Sequence, residues 1–513
     1  MSELPPSLGM TRAAIAAPNA LAAQAGMDVV ALGGSAVDAA IAAHATVYVT
    51  EPGIVSALGG AFVNVWPADG EPQVIDGNSE MPGRSADPER FGGGLRAIHL
   101  DYGGGITINA GPGSAATPGS FAAYDLAHEM FGRASWADIL APAIAAAREG
   151  FVLGQAAGHY LQLTGRQLWS FDEQTRAQHF AGDEPAGPGT RMTNRDLANT
   201  LELVARHGIA ELYTGSLGEA IADHVTATGG LLGRADLAAY RPVCRPASRA
   251  TVGDWDIALN PPPSIGGPVL TAMVRLIAQR GMSADALVEI QRLVLGYRAE
   301  HLDRSTDLRA AGAELLLALE TTGLESLPTS QDTAHVSVVD SEGNACAITT
   351  SAGYSSGVTV PGTGLVLNNC LGEPELNRLG LHALRPGTRL ASNMSPATAR
   401  SADGVTLAIG SPGADRITTA LSQVIGRHCL RGEDLQASID APRLHVELGP
   451  DEVRVHYEPE DGVEAAIGRA GAVAVPHEAS DMYFGGVGAA YGTAAGDLGA
   501  AADPRRAAAT AVS

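Results

Sequence analysis

The chain has 513 residues, is 45% hydrophobic and 17% charged, and carries a formal charge of −23. That length can bury a core worth roughly two to four domains, and the acidic balance opposes nucleic-acid or anionic-membrane binding through bulk electrostatics. All 33 basic residues are arginine, which excludes a lysine Schiff base, a pyridoxal enzyme, a P-loop phosphate clamp and a Ser-Lys dyad.

The N-terminal segment has no basic region ahead of an apolar core, so no signal peptide is expected. No apolar run of 18 residues is uninterrupted, so no membrane span is expected and the cytoplasm is the expected compartment. From Pro18 a helix is predicted up to the glycine stop at Gly33-Gly34. Ser35 then caps a second helix running to about Val49. Both are apolar on most faces and are expected inside the protein. Residues 61–66 and 73–76 read as a hairpin around Asp69-Gly70. The glycine-rich stretch 91–120 reads as loop. From Phe121 to about Glu300 helices dominate, interrupted by the Pro261–Gly267 turn.

After Thr333 the pattern changes to short strands, at 334–340, 345–351, 364–367, 405–409, 443–448, 453–457 and within 484–493, with one main helix at 416–429. The clearest boundary therefore lies at 321–332. The alanine-rich end, 494–513, reads as a frayed tail. Four cysteines, at 244, 346, 370 and 429, are too few and too scattered for a disulfide framework or a CxxC metal site.

Chemistry concentrates at Thr333, at the mouth of the hairpin formed by 334–340 and 345–351. If the bond before it is cut, its hydroxyl becomes a nucleophile and its own α-amine the base, with no histidine required. Such an amine titrates near ~7.7–8.0. The strand 405–409, the turn Gly410-Ser411-Pro412-Gly413-Ala414-Asp415 and the following helix expose backbone N–H groups, and Gly413 and Ala414 sit where these can hold an oxyanion. Ser392 and Asn393 place a hydroxyl and an amide in a loop before Met394-Ser395-Pro396. Gly353-Tyr354-Ser355-Ser356-Gly357 matches the GxSxG elbow pattern but lacks the helix that should follow it. His335 reads as a packed or hydrogen-bonded residue rather than a base.

Gly33–Ala40 with Thr50-Glu51-Pro52, Thr117-Pro118-Gly119, Gly229-Gly230 with Asp236–Tyr240, Asp303-Arg304, Thr333–Asp340, Leu367-Asn368-Asn369, Met394–Pro396, Gly410–Gly413 and Asp503–Arg505, in this order, resemble the γ-glutamyltranspeptidase family of N-terminal-nucleophile hydrolases. The resemblance implies an α+β fold, a four-layer αββα sandwich. It also implies a precursor that cuts itself between Asp332 and Thr333 into a large subunit, 1–332, and a small subunit, 333–513, which stay together as a heterodimer. In that frame Ser351 is a second hydroxyl beside the threonine amine, Gly413 and Ala414 form the oxyanion hole, and Ser392 and Asn393 hold the substrate's carboxylate end. No metal or organic cofactor is implied, and the partner is a small-molecule amide. Whether the heterodimer assembles further is open at this stage.

The substrate positions depart from the family pattern. Asn78 stands where relatives that act on glutathione carry an arginine, with Arg84 nearby as a possible substitute. Gly353 stands for an asparagine, Cys370 for a glutamine and Glu373 for an aspartate. Losing a bidentate arginine clamp removes roughly 1.5–3 kcal/mol of anchoring. The expectation is an amidohydrolase or acyltransferase acting on a small non-glutathione amide or acylated amine. A true γ-glutamyltransferase or glutathione hydrolase is the alternative, and an uncleaved binding protein is the alternative of another class.

Overall fold

A computed structural model describes residues 11–100, 105–321, 333–374, 376–413, 415–449, 451–506 and 508–513. Two antiparallel sheets lie face to face between layers of helices. The first contains β1 (Ala13–Ala17), β2 (Gly60–Trp66), β3 (Gln73–Gly77), β4 (Val243–Pro246), β7 (Ala334–Asp340), β8 (Ala345–Ser351) and β13 (Ala509–Val512), in the seven-stranded order β4-β3-β2-β8-β7-β1-β13. The second contains β5 (Ser248–Val252), β6 (Trp255–Leu259), β9 (Ala397–Ser401), β10 (Thr406–Gly410), β11 (Gly488–Gly492) and β12 (Leu498–Ala502), in the six-stranded order β5-β6-β9-β10-β11-β12. Helices α1 (Ala20–Ala31), α2 (Ala36–Thr50) and α3 (Ser120–Phe131) cover the first sheet, and α4 (Gly266–Arg280) and α5 (Arg416–Ile425) cover the second. This is the four-layer αββα arrangement.

Local sequence explains the outer helices. Asn19 caps α1 by accepting from Ala22 N, and Ser35 and Asp38 form a capping box at the start of α2. Every residue of α2 is buried, whereas α1 keeps an exposed face, so the expectation of wholly internal helices holds for the second one only. Between the sheets sits a thin layer of alanines with Trp66 and Val339. Small side chains let the two sheets approach closely.

Several expectations are corrected. The glycine-rich stretch contains a hairpin, Arg96–Leu100 paired with Ile106–Ala110. The helix-rich part also carries β4, an edge strand beside β3, and the hairpin of β5 and β6. The 364–367 segment makes isolated bridges only, Thr359 with Val366 and Leu58 with Leu367. The C-terminal stretch is not a frayed tail: β12 pairs with β11, β13 pairs with β1, and between them Arg505 and Arg443 clasp the buried Asp503. The composition shift at 321–332 runs within one continuous fold. Strands from both sides of it alternate within one sheet, β2-β8-β7-β1.

Candidate active site

Strand register assembles the site. Ala334 pairs with Thr350 and Ser351 with Gly60, while Ala61 pairs with Gly77. Extending each ladder by one residue places Thr333, Ser351, Gly60 and Asn78 in one row at the end of the first sheet. Side chains alternate along a strand, so Thr333 shares a face with His335, Ser337 and Val339. That face looks at the second sheet, where Ser337 Oγ donates to Gly488 O at 3.1 Å. Thr333 itself is 3% exposed.

The second sheet closes over this row. A Cβ on Gly410 would lie 2.2 Å from the His335 ring, so the last residue of β10 has to be glycine for the sheets to meet here. The chain then turns through Ser411, Pro412 and Gly413 (φ +116°) into α5. This turn brings Pro412 to the cleft that Thr333 also lines. Ala414 and Asp332 lie outside the described residues.

His335 is no base. Its ring nitrogens contact Thr349 Oγ1 at 2.8 Å and Ser337 Oγ at 2.7 Å, and burial holds its pKa well below the ordinary imidazole value. Ser351 accepts from Gly353 N at 3.2 Å, which fixes the hydroxyl beside the row. The GxSxG segment follows with Ser355 in the left-handed region (φ 74°), buried, and enters no helix.

A chain of contacts links the remaining positions to this row. Asn78 Nδ2 donates to Leu390 O at 2.7 Å, tying the row to the loop that carries Ser392 and Asn393. Ser392 O accepts from the first N–H groups of α4, those of Ile265 and Gly266, and its Oγ accepts from Met394 N. Asn393 Nδ2 donates to Asp415 Oδ1 at 2.8 Å, just after the Gly410–Gly413 turn. Asp415 in turn meets the buried Arg298 at 3.0 Å, and Arg298 meets Asp303 at 3.1 Å. Losing one member of such a buried ionic chain would leave an uncompensated charge, so Asn393 is held by the turn as much as it helps hold it.

Glu373 and Asn369 converge on Gly353. A Cβ there would lie 2.1 Å from Asn369 Oδ1 and 2.9 Å from Glu373 Oε1, and Gly353 itself has φ +63°. Asn369 is fully buried, and neither its Oδ1 nor its Nδ2 has a hydrogen-bond partner. Cys370 accepts from Ser79 Oγ at 3.7 Å. Burial raises its thiol pKa, as does the neighbouring Glu373, so it is an inert side chain rather than a nucleophile.

The arginines near Asn78 are engaged by carboxylates. Arg84 is bound by Glu80 at 3.0 Å and lies 3.6 Å from Asp236. Arg389, which sequence reasoning missed, reaches Glu80 at 2.7 Å and Asp76 at 3.4 Å. Asn369 entered the sequence reading only as part of the Leu367-Asn368-Asn369 motif, and Arg389 gave no sequence signal because only the tertiary fold brings it here.

Two antiparallel sheets, with Thr333, Ser351, Gly60 and Asn78 in one row at the end of the first and helices on both outer faces, define the class of fold: a four-layer αββα sandwich. A cephalosporin acylase from Bacillus halodurans shares this fold over 100% of this chain and 99% of its own, with a TM-score of 0.79 at 23% identity. The gamma-glutamyltranspeptidase family model matches residues 22–513, and the chain belongs to that family. Its relatives include the acylase ACY 1 proenzyme of Pseudomonas sp. (strain SE83), 31% identical across 90% of this chain and 87% of the relative. Another is the glutathione hydrolase proenzyme of Escherichia coli (strain K12), 29% identical across 86% and 82%. The chain is thus an enzyme of amide-bond hydrolysis or acyl transfer.

Proposed function

We propose that the chain is a self-processing amidohydrolase or acyltransferase with Thr333 as its N-terminal nucleophile. The observation that carries this reading is the row: the ladders align Thr333 with Ser351 at the end of a sheet whose partner sheet delivers the Gly410–Gly413 turn. Cleavage between Asp332 and Thr333 yields a large subunit of 332 residues, and 513 less 332 leaves a small one of 181. Interleaved strands keep the two together as a heterodimer.

In the reaction the α-amine of Thr333 takes the proton of its own Oγ, and Oγ attacks the substrate carbonyl. Backbone N–H groups of Gly413 and Ala414 receive the developing oxyanion. The tetrahedral species collapses to an acyl-enzyme as the proton passes from the amine to the departing nitrogen. Water or another amine then resolves the ester. Ser351 orients the α-amine, and Ser392 with Asn393 shapes the far end of the acyl pocket.

The substrate favoured is a small amide or acylated amine other than glutathione. The Asn78 place holds a carboxamide already engaged by Leu390 O, and the nearby arginines are paired to Glu80, Asp76 and Asp236. Glutathione hydrolysis is the second reading, favoured by Glu373, an acid kept at the acyl pocket against Gly353. Comparing γ-glutamyl-p-nitroanilide with simple anilides decides between them. The first reading expects the simple anilide to be the better substrate, and efficient γ-glutamyl turnover by the wild type overturns it.

A further inference from the structure

A separate three-stranded sheet pairs Leu444–Leu448 with Val453–Tyr457, and that strand with Val473–Pro476. Four titratable side chains on it and just after it form an unbroken line that the reaction above does not use. Glu447 Oε2 meets His456 Nε2 at 2.7 Å, His456 Nδ1 meets His477 Nε2 at 2.9 Å, and His477 Nδ1 meets Asp481 Oδ2 at 2.9 Å. All four are partly buried. Each of the three contacts needs one proton. With both carboxylates ionised and both imidazoles neutral, the line holds only two. A third proton makes one ring an imidazolium and completes every contact. A fourth would set two N–H groups against each other between the rings. The line is thus built for three protons and is one short when both rings are neutral.

The surrounding charges are mixed. The His456 contact, against burial, holds the Glu447 carboxyl below its usual range, and the fields of Arg454 and Arg416 add to it. His445 lies across the ladder from His456. Burial, then the Arg416, His456 and Arg298 fields, hold its pKa well below the ordinary imidazole value, so it brings no competing charge. Glu458 accepts from Asp481 N at 3.0 Å and stays outside the line. Tyr483 lies in the fields of Arg416, Glu447, Asp415 and Asp481.

The line holds Tyr483. That ring stacks on His456 and on His477, each at 4.6 Å between centroids, and the Arg416 guanidinium lies 4.5 Å from its centroid. Asp481 Oδ1 accepts from Tyr483 N at 2.8 Å while its Oδ2 ends the line. Tyr483 O accepts from Arg416 Nε at 3.0 Å, and Arg416 N donates to Gly413 O at 3.0 Å. Further along, Gly486 N donates to Ser411 Oγ at 3.2 Å, and a Cβ on Gly413 would come within 2.9 Å of Gly485 Cα. Residues 481–486 therefore run from the proton line to the Gly410–Gly413 turn. Without the third proton two ring lone pairs face each other at 2.9 Å, and the pair has to part beneath Tyr483. We propose that Glu447, His456, His477 and Asp481 are positioning residues: the third proton they share holds Tyr483 and Arg416, and through them the Gly410–Gly413 turn, in its catalytic setting. Turnover then falls as pH rises and that proton leaves. This rests on the reading of the turn as the receiver of the oxyanion.

The test is kcat on a simple anilide from about pH 6 to about pH 9, the range in which imidazoles titrate, for the wild type, His477→Phe and Glu447→Gln. His477→Phe keeps an aromatic ring against Tyr483 but cuts the line. The ratio of wild-type to His477→Phe kcat cancels the limb that belongs to the Thr333 amine. That ratio is expected to be about tenfold at the acid end, a misplaced turn rather than a lost donor, and to fall to one at the alkaline end. Glu447→Gln removes a negative charge from the line and is expected to move the alkaline fall in kcat about one pH unit lower. A ratio that is the same at every pH, or an alkaline fall that Glu447→Gln leaves in place, overturns the proposal. Glu447 is a partly exposed side chain, so Glu447→Gln keeps the test decisive if His477→Phe does not fold. Ring-nitrogen NMR of Thr333→Ala reads the line without turnover: the two rings are expected to take up one proton jointly, and two independent uptakes overturn the proposal. Anilide turnover that persists in Thr333→Ala removes the Thr333 reading alone, because the ratio does not depend on which group attacks.

Discussion

The two flanks of Thr333 are made of different materials. On the β8–β2–β3 side the row is polar and each group is held by backbone or by a paired charge: Ser351 by Gly353 N, Asn78 by Leu390 O, Asn393 by Asp415. On the β1 side the walls are alanine, proline and isoleucine, and the two charges that enter are Glu51 and Arg506, which act on each other through the field rather than by contact. A polar wall built from fixed dipoles selects by geometry. An apolar wall entered by an acid and a cation offers few fixed dipoles and a local field instead.

That contrast can be broken or sharpened by substitution. The largest effect is expected at Ser351, in the row itself. Ser351→Ala should lower kcat by about 10²–10³, the size expected for losing one group that orients or polarises the reacting atoms, while thermal stability changes little. Steady-state kinetics beside a melting curve checks both halves, and an unchanged kcat removes Ser351 from the row's chemistry.

Asn78→Arg comes next. If the polar flank was rewritten away from a γ-glutamyl group, restoring a guanidinium there should improve kcat/KM for γ-glutamyl-p-nitroanilide, relative to a simple anilide, by about one to two decades. No gain, with a wild type already efficient on the γ-glutamyl compound, would show that the pocket was never rewritten.

The smallest effect concerns the other flank and is read in stability. Burial pushes the Glu51 carboxyl up to about 7, against the hydrogen bond from Asn19 and the field of Arg506. A carboxyl with a raised folded pKa favours the folded state when protonated. As pH rises, the unfolded chain ionises this group first, so stability falls between the unfolded pKa near ~4.3 and the folded value. Glu51→Gln should therefore gain about 1–3 kcal/mol relative to the wild type at pH 8 and nearly nothing at pH 5. Denaturant melts at the two pH values measure the difference, and an equal effect at both removes Glu51 as a buried acid.

Much of this was legible in the sequence, and the gaps have physical causes. The caps at Asn19 and Ser35, the hairpin at 60–77 and the pair of strands after Thr333 all carry local signals of capping, turn or alternation. β1 was not read because Ala13–Ala17 is buried on both faces and so shows no period of two. β12 and β13 alternate in burial, but their nearly all-small residues inside an alanine-rich end show no alternation in the sequence. Thr333 and Gly413 stood out because each sits at the end of a legible strand or turn, and Ser351 through the family resemblance. Glu51 was noticed only as part of a motif. Arg389 and Arg506 gain their place from chain crossings that no local pattern encodes, and Asn369, like Glu51, was legible only within a motif.

The central claim is the broken bond before Thr333, and intact mass under denaturing conditions, after incubation near neutral pH, tests it most directly. The account predicts two fragments that meet between Asp332 and Thr333 in the wild type, and one uncut chain in Thr333→Ala. A wild type that stays a single 52.3 kDa species contradicts it.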